Sequence, residues 1–225
     1  VSALAGAVIT TLVDNDAADL SLAATPSVSE AGGTIVYTAT LSQAPVSALT
    51  VTLSNGAVIT IGAGALTGNV NVPVTPGDDP YIDAGTISAT IASTAGGGIA
   101  LNVSAAPAVT TVFDTIDTTT VTLTASAATV AEGGSIVYTA SVNNAVTGTP
   151  LVITLSNGQT ITIAVGQSSA TGAAFAVRAD DVYVQGTQTL NVGIASTSGG
   201  SYEALTTATT ASTTVTDDAD APTAT

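Results

Sequence analysis

The chain has no cysteine and no histidine, one basic residue (Arg178) against 16 acidic ones, and neither tryptophan nor methionine. Each absence excludes a chemistry. Without cysteine there are no disulfides, thiolate ligands or thiol nucleophiles. Without histidine the commonest general base is missing, and zinc and copper lose their preferred ligands. A formal charge of −15 repels nucleic acid, whose binding rests on Lys and Arg meeting phosphate, and it disfavours an anionic membrane surface. The natural complement of such a chain is a cation. The longest apolar run, residues 1–13, is broken by Ser and Thr and is too short to cross a bilayer. It also lacks the basic start of a signal peptide, so the chain reads as an excised piece of a longer one.

What is present is 225 residues, 45% hydrophobic and only 3% aromatic. That suits two ordinary domains with cores of small branched side chains. From Asp19 the apolar pattern has period two, the signature of strands with one buried face. Leu20 and Leu22 alternate with Ser21 and Ala23, and Ile35, Tyr37, Ala39 and Leu41 share one face. Leu49, Val51 and Leu53 follow, then Ile59 and Ile61, then Val70, Val72 and Val74, then Ile87, Ala89 and Ile91, and Val109 to Phe113 close the set. This predicts seven short strands, A to G. Asn55-Gly56 marks a tight hairpin with positive φ at both central residues, and Gly96-Gly97-Gly98 marks another turn.

The second half repeats the programme. Glu132-Gly133-Gly134-Ser135-Ile136-Val137-Tyr138 echoes Glu30-Ala31-Gly32-Gly33-Thr34-Ile35-Val36-Tyr37. Leu155-Ser156-Asn157-Gly158 echoes Leu53-Ser54-Asn55-Gly56, and Asp180-Asp181-Val182-Tyr183 echoes Asp78-Asp79-Pro80-Tyr81. The predicted fold is all-β, two tandem immunoglobulin-like antiparallel sandwiches. Residues 1–16 read as the last strand and linker of a preceding repeat, frayed or borrowed by a neighbour. Residues 17–116 form the first domain, and 117–225 form the second with its C-terminal linker.

Strand direction in a sandwich brings the A–B and E–F connections and the exit from G to one end. In the first domain this gathers Glu30, Asp78, Asp79, Asp83 and Asp114, with Asp117 opening the next domain. In the second it gathers Glu132, Asp180, Asp181, Asp217 and Asp220. Carboxylates about 5 Å apart repel by roughly 3 kcal/mol per pair at an effective dielectric of 20. One arginine does not neutralise two such clusters. Ca²⁺ does, because it takes 6–8 oxygen ligands in adaptable geometry, whereas Mg²⁺ demands strict octahedra and keeps its water. The bland reading is that acidic turns merely cap loops and keep a Val-rich surface soluble. Recurrence of the same acids in two copies favours the metal. Asp218 and Asp19 are as readily solvated as coordinating, and the joint at Asp14 and Asp16 binds weakly without its preceding domain.

Asp-Thr-Ile-Asp-Thr-Thr-Thr-Val (114–121), Glu-Gly-Gly-Ser-Ile-Val-Tyr-Thr-Ala (132–140), Leu-Ser-Asn-Gly (155–158) and Asp-Asp-Val-Tyr (180–183) resemble the extender repeats of large type I-secreted, LapA-type biofilm adhesins. The resemblance covers both halves. It implies Ig-like domains in long arrays, calcium at the interdomain joints, and a cell-surface protein whose distal adhesive region is held away from the cell. The partners implied are neighbouring repeats of the same chain, in a monomer that does not insert into the membrane. Glycine-rich nonapeptide repeats are absent, as is any recognisable ligand-binding domain.

Other chemistries fit less well. Ser and Thr are plentiful but have no histidine to activate them. A glycosidase-like acid pair needs a cleft between two differently tuned carboxylates, and these acids crowd a domain end, so the expectation is no enzyme. A module that itself binds a carbohydrate or protein is the other reading, opposed for sugars by the sparse aromatics. Tyr37 and Tyr138 fall at core positions. Tyr81 and Tyr183 either brace the acidic loops or simply pack, and Arg178 is expected to pair with an Asp of its own loop.

Overall fold

The computed structural model describes residues 16–207 and 209–219. The strand expected over residues 1–13, Asp14 of the first joint, and Asp220 lie outside the described residues. Among those described, all regular structure is strand. The chain forms two compact units: one ends at Gly77 and resumes over Ala84–Phe113, and the other takes Asp78–Asp83 with the chain from Asp114 onward.

The strands of unit 1 are β1 (Ala18–Ala24), β2 (Ser27–Ser29), β3 (Gly33–Leu41), β4 (Leu49–Leu53), β5 (Val58–Ile61), β6 (Thr67–Val74), β7 (Gly85–Ala89), β8 (Ile91–Gly96), β9 (Leu101–Val103) and β10 (Ala108–Phe113). One layer has the order β6-β3-β1-β9. The other is built from β5-β4-β8 and β2-β10-β7, with only Thr90 standing between β7 and β8. The inward faces are those the period-two pattern picks out. Ile35, Tyr37, Ala39 and Leu41 from one layer meet Leu49, Val51, Leu53, Ile59 and Ile61 from the other, all buried. Each fully buried Leu or Ile stabilises the sandwich by roughly 1.5–3 kcal/mol.

Ten strands stand where seven were expected, and the expected strand through Ile87, Ala89 and Ile91 is broken at Thr90 into β7, which pairs with β10, and β8, which pairs with β4. The first expected strand is split too: β1 pairs antiparallel with β3, and β2 pairs parallel with β10 in the opposite layer. The chain crosses at Pro26, which has no N–H to extend a ladder. The buried Thr110 hydroxyl bonds the Thr25 carbonyl at the crossing, 2.7 Å away. The last expected strand, Val109 to Phe113, is present as β10, and β9 is an additional short strand that runs parallel to β1 ahead of it. The Asn-Gly turn also departs from the two-residue hairpin. Residues 54–57 separate β4 from β5, only Gly56 takes a positive φ (83°), and Asn55 Oδ1 accepts from Ala57 N–H at 3.1 Å. A longer loop needs one left-handed residue, not two.

Unit 2 contains β11 (Thr118–Ala125), β12 (Thr129–Ala131), β13 (Ser135–Ile136), β14 (Tyr138–Val142), β15 (Leu151–Leu155), β16 (Thr160–Ile163), β17 (Ser169–Thr171), β18 (Phe175–Ala176), β19 (Gln188–Ser198), β20 (Ala204–Thr207) and β21 (Thr210–Thr216). Here the second layer is one sheet, β12-β21-β19-β15-β16, because β19 is unbroken, and it faces β17-β14-β11-β20. The strand crossing recurs, with Thr213 bonding the Ala127 carbonyl at 2.8 Å. Both units are Ig-like sandwiches, mainly antiparallel, and Tyr37 and Tyr138 are core residues.

Candidate metal centre

In unit 2 three acids reach one point from three separate segments. Glu132 follows β12, Asp180 lies between β18 and β19, and Asp218 follows β21. Their carboxylate oxygens lie within 4.8 Å of one another. Backbone bonds set this convergence: Glu132 N–H donates to Thr216 O at 2.9 Å, and Gly133 N–H donates to Arg178 O at 2.9 Å. Gly133 has φ of 70°, and a Cβ there would stand 2.9 Å from that of Asp180. Only glycine permits so close an approach.

Glu132 is 5% exposed. Its Oε2 accepts from Arg178 Nε at 2.7 Å, while its Oε1 is buried without a hydrogen-bond partner. Burial pushes the Glu132 carboxyl above its ordinary range, and the Asp217 charge adds to this. The hydrogen bond and charge of Arg178 pull it down, but by less. Arg178 therefore pairs across loops, not with an acid of its own loop. Asp217 Oδ1 also accepts from it, at 3.4 Å, and from Gln185 N–H at 3.3 Å.

The expected acids thus take different parts. Glu132 and Asp180 belong to the triad. Asp217 is committed to Arg178, and Asp218, equally readable from sequence as solvated, is the third member. Strand parity carried that signal: Asp217 continues the alternation of buried Ala211, Thr213 and Val215, and Asp218 falls on the other face. Asp181 caps its own loop, accepting from Tyr183 N–H at 2.8 Å and from the Gln185 side chain. Asp79 does the same for Tyr81 N–H at 2.9 Å.

The remaining acids of the first repeat divide between the units. Glu30 is buried in unit 1, where its N–H donates to Phe113 O at 3.1 Å and its carbonyl accepts from Gly77 N–H at 2.9 Å. Asp78, Asp83, Asp114 and Asp117 fall in unit 2. Asp78 accepts from the Thr115 hydroxyl, Asp83 is exposed, and Asp114 is half-buried with Oδ1 lacking a hydrogen-bond partner. Asp117 is exposed and donates its N–H to Glu203 Oε2 at 2.6 Å. Asp16 and Asp19 are exposed too, and Asp19 Oδ1 accepts from the Asn102 amide at 2.8 Å. Tyr81 is packed and bonded within unit 2, whereas Tyr183 is 73% exposed.

Ig-like sandwiches repeated in tandem, with carboxylates collected at loops, define a structural repeat module. The LapA domain model matches residues 16–115 and again 117–218. The chain belongs to the LapA domain family, as two successive copies of an adhesin repeat from a cell-surface protein. No curated protein matches the chain. Among the described residues no helix is long and apolar enough to cross a membrane.

Proposed function

We propose that the chain is an extender segment of a bacterial biofilm adhesin. Its joints bind calcium and stiffen, so that the array projects distal adhesive domains from the cell. The observation that carries this reading is the triad of Glu132, Asp180 and Asp218, with a buried Glu132 oxygen that no donor satisfies. The donor set is all carboxylate, which suits a hard cation. Glu132, Asp180 and Asp218 would hold the ion in the second repeat, and a bound cation there offsets repulsion that Arg178 relieves on one oxygen only. For the first repeat the acids proposed as ligands are Glu30, Asp78, Asp79, Asp83, Asp114 and Asp117, of which Asp83 has no acidic counterpart in the second repeat, and the surrounding loops carry no basic residue.

Such a segment acts as a monomer whose partners are neighbouring repeats, secreted and working outside the cell. Extracellular calcium modules bind with dissociation constants of roughly 10⁻⁴–10⁻³ M. A chain of this kind stays pliable at low cytosolic calcium and rigidifies after export. The test is calcium calorimetry with small-angle scattering on the chain. Saturable binding and a longer, narrower distance distribution in calcium are expected. Scattering and melting indifferent to calcium and chelator would end the reading.

A further inference from the structure

Unit 2 carries a docked loop at one end. Segment Asp78–Asp83 follows β6 in sequence yet belongs to this unit. Ile82 N–H donates to Ser201 O at 2.9 Å, Glu203 N–H donates to Pro80 O at 3.2 Å, and Tyr81 forms an antiparallel bridge with Tyr202. The two rings lie 5.5 Å apart, and the Tyr81 hydroxyl donates to the Ala145 carbonyl at 2.6 Å. The receiver consists of the β14–β15 and β19–β20 connections. The Asp79 cap on Tyr81 N–H gives the loop its shape.

Unit 1 contains the same receiver. Ser42 caps Asp19 N–H at 2.8 Å just as Asn143 caps Thr120 N–H at 2.8 Å, which sets Gln43 and Ala44 level with Asn144 and Ala145. Gly96 and Gly97, with φ of 82° and 83°, match Gly199 and Gly200, with φ of 80° and 66°. Counted from those glycines, Ile99 stands in the place of Tyr202, in a connection one residue shorter before Leu101, which pairs with Ala18 as Leu205 pairs with Thr119. A cavity of ≈ 430 Å³ opens here, lined by Asp16, Ala18, Gln43, Gly98, Ile99 and Ala100. The chain also holds a second copy of the inserted loop. Asp181 caps Tyr183 N–H at 2.8 Å, repeating the Asp79 turn. Yet Tyr183 is 73% exposed, and Val182 and Val184 beside it are 74% and 94% exposed.

We infer that the unit 1 cavity is a socket for the Asp-Asp-X-Tyr loop of a further copy of this repeat, and that the Tyr183 loop is the plug for another such socket. The occupant is set by the example in unit 2: a tyrosine carried on an aspartate-capped turn. In unit 2 its ring is received by the Tyr202 ring of the β19–β20 connection, and its hydroxyl by the Ala145 carbonyl of the β14–β15 connection. Ile99 supplies the apolar wall in place of a ring. Docking would cover Val182 and Tyr183, as Pro80 and Tyr81 are partly covered in unit 2, while Val184 would stay largely in solvent as Ile82 does at 62% exposed. The contact would be intramolecular along an array, so modest intrinsic affinity suffices. This inference rests on the reading of the chain as part of a repeat array and names the partner surface within it.

The test is a chain with an extra copy of residues 117–216 placed ahead of Asp14, compared with the 225-residue chain by isoleucine-methyl NMR. The Ile99 methyl, assigned through Ile99→Val, should move upfield under the incoming tyrosine ring. Tyr183→Ala in the added copy should abolish the move, and Tyr183→Phe should keep it. The Ile153 methyl of the added copy, at a fully buried core position of this repeat, reports that each variant is folded. An Ile99 signal unchanged by the added copy, or a shift that survives Tyr183→Ala, would overturn the inference. The calcium reading is scored separately, by calcium-dependent melting of the same samples, so either can fail while the other stands.

Discussion

Arg178, the sole basic residue, holds Glu132 through one oxygen, its Nε lying 2.7 Å from Oε2, while Oε1 of the same carboxylate is buried with no hydrogen-bond partner. The arginine and a metal ion would thus bind different edges of one carboxylate, and each weakens the need for the other.

The first prediction concerns calcium itself. With a dissociation constant of 10⁻⁴–10⁻³ M, about 10 mM calcium would stabilise the second repeat by about 1.4–2.7 kcal/mol through linkage. Thermal melts should rise accordingly in calcium and return with chelator. Glu132→Gln, which keeps the shape but loses the charge, should remove most of that response. A full calcium response in this variant would rule Glu132 out as a ligand.

Arg178→Gln should have opposite effects in the two conditions. In chelator it lowers the melting temperature, because the buried Glu132 carboxylate loses the Arg178 donor. In calcium titrations it should tighten binding by about tenfold or more. A guanidinium near a divalent ion at an effective dielectric of 20 repels it by well over the 1.4 kcal/mol that a factor of ten represents. Unchanged affinity would place the ion elsewhere.

The pH dependence follows from the raised Glu132 carboxyl. A folded-state value above the unfolded one means that folding favours the protonated acid. In calcium-free buffer the corresponding stability is therefore present near and below the ordinary value of 4.5, and it is lost as pH rises through the raised folded value. Melting temperatures of wild type and Glu132→Gln, compared from pH 5 to 8 without calcium, should diverge with increasing pH, wild type falling relative to the variant. Calcium, which binds the ionised form, should reduce the divergence at the upper end. Parallel curves would refute the assignment.

Tyr37 and Tyr138 bury hydroxyls with no hydrogen-bond partner, and burial raises both phenol pKa values. An unsatisfied buried hydroxyl costs about 1–3 kcal/mol. Tyr37→Phe and Tyr138→Phe should therefore raise the urea midpoint, each in its own unit. A fall in midpoint would mean that the hydroxyls are satisfied in solution.

The two capped tyrosine loops should respond differently to truncation. Tyr81→Phe forfeits the bond to the Ala145 carbonyl, worth about 0.5–1.5 kcal/mol. Tyr81→Ala loses the Tyr202 ring contact as well. Tyr183→Ala in the 225-residue chain should stay within about 0.5 kcal/mol of wild type, as exposed surface positions usually do. Urea midpoints for the three variants decide this.

Much was legible in the residues alone. Strand faces follow from alternation, because side chains on a strand point to opposite sides in turn and only one side is covered. The inward sets from Ile35 to Leu41 and from Leu49 to Leu53, and both core tyrosines, come from that rule. The internal repeat and the acidic character of the loops are legible too, from residue identity and composition. These properties are local or compositional, and no long-range partner is needed to read them.

The tertiary structure decided what depends on register between distant segments. The first strand changes layer at Pro26, and β9 joins the layer of β1 while β10, which follows it, lies in the other. Arg178 reaches Glu132, 46 residues back, not the aspartates beside it. Asp218 joins the triad while Asp217 turns to the arginine, and Asp78–Asp83 packs in unit 2, with Tyr81 on Tyr202. Each outcome is set by where backbone ladders end and which loop tops they bring level. Neighbours in sequence exert little force on that choice, and the summed packing of two sheets fixes it.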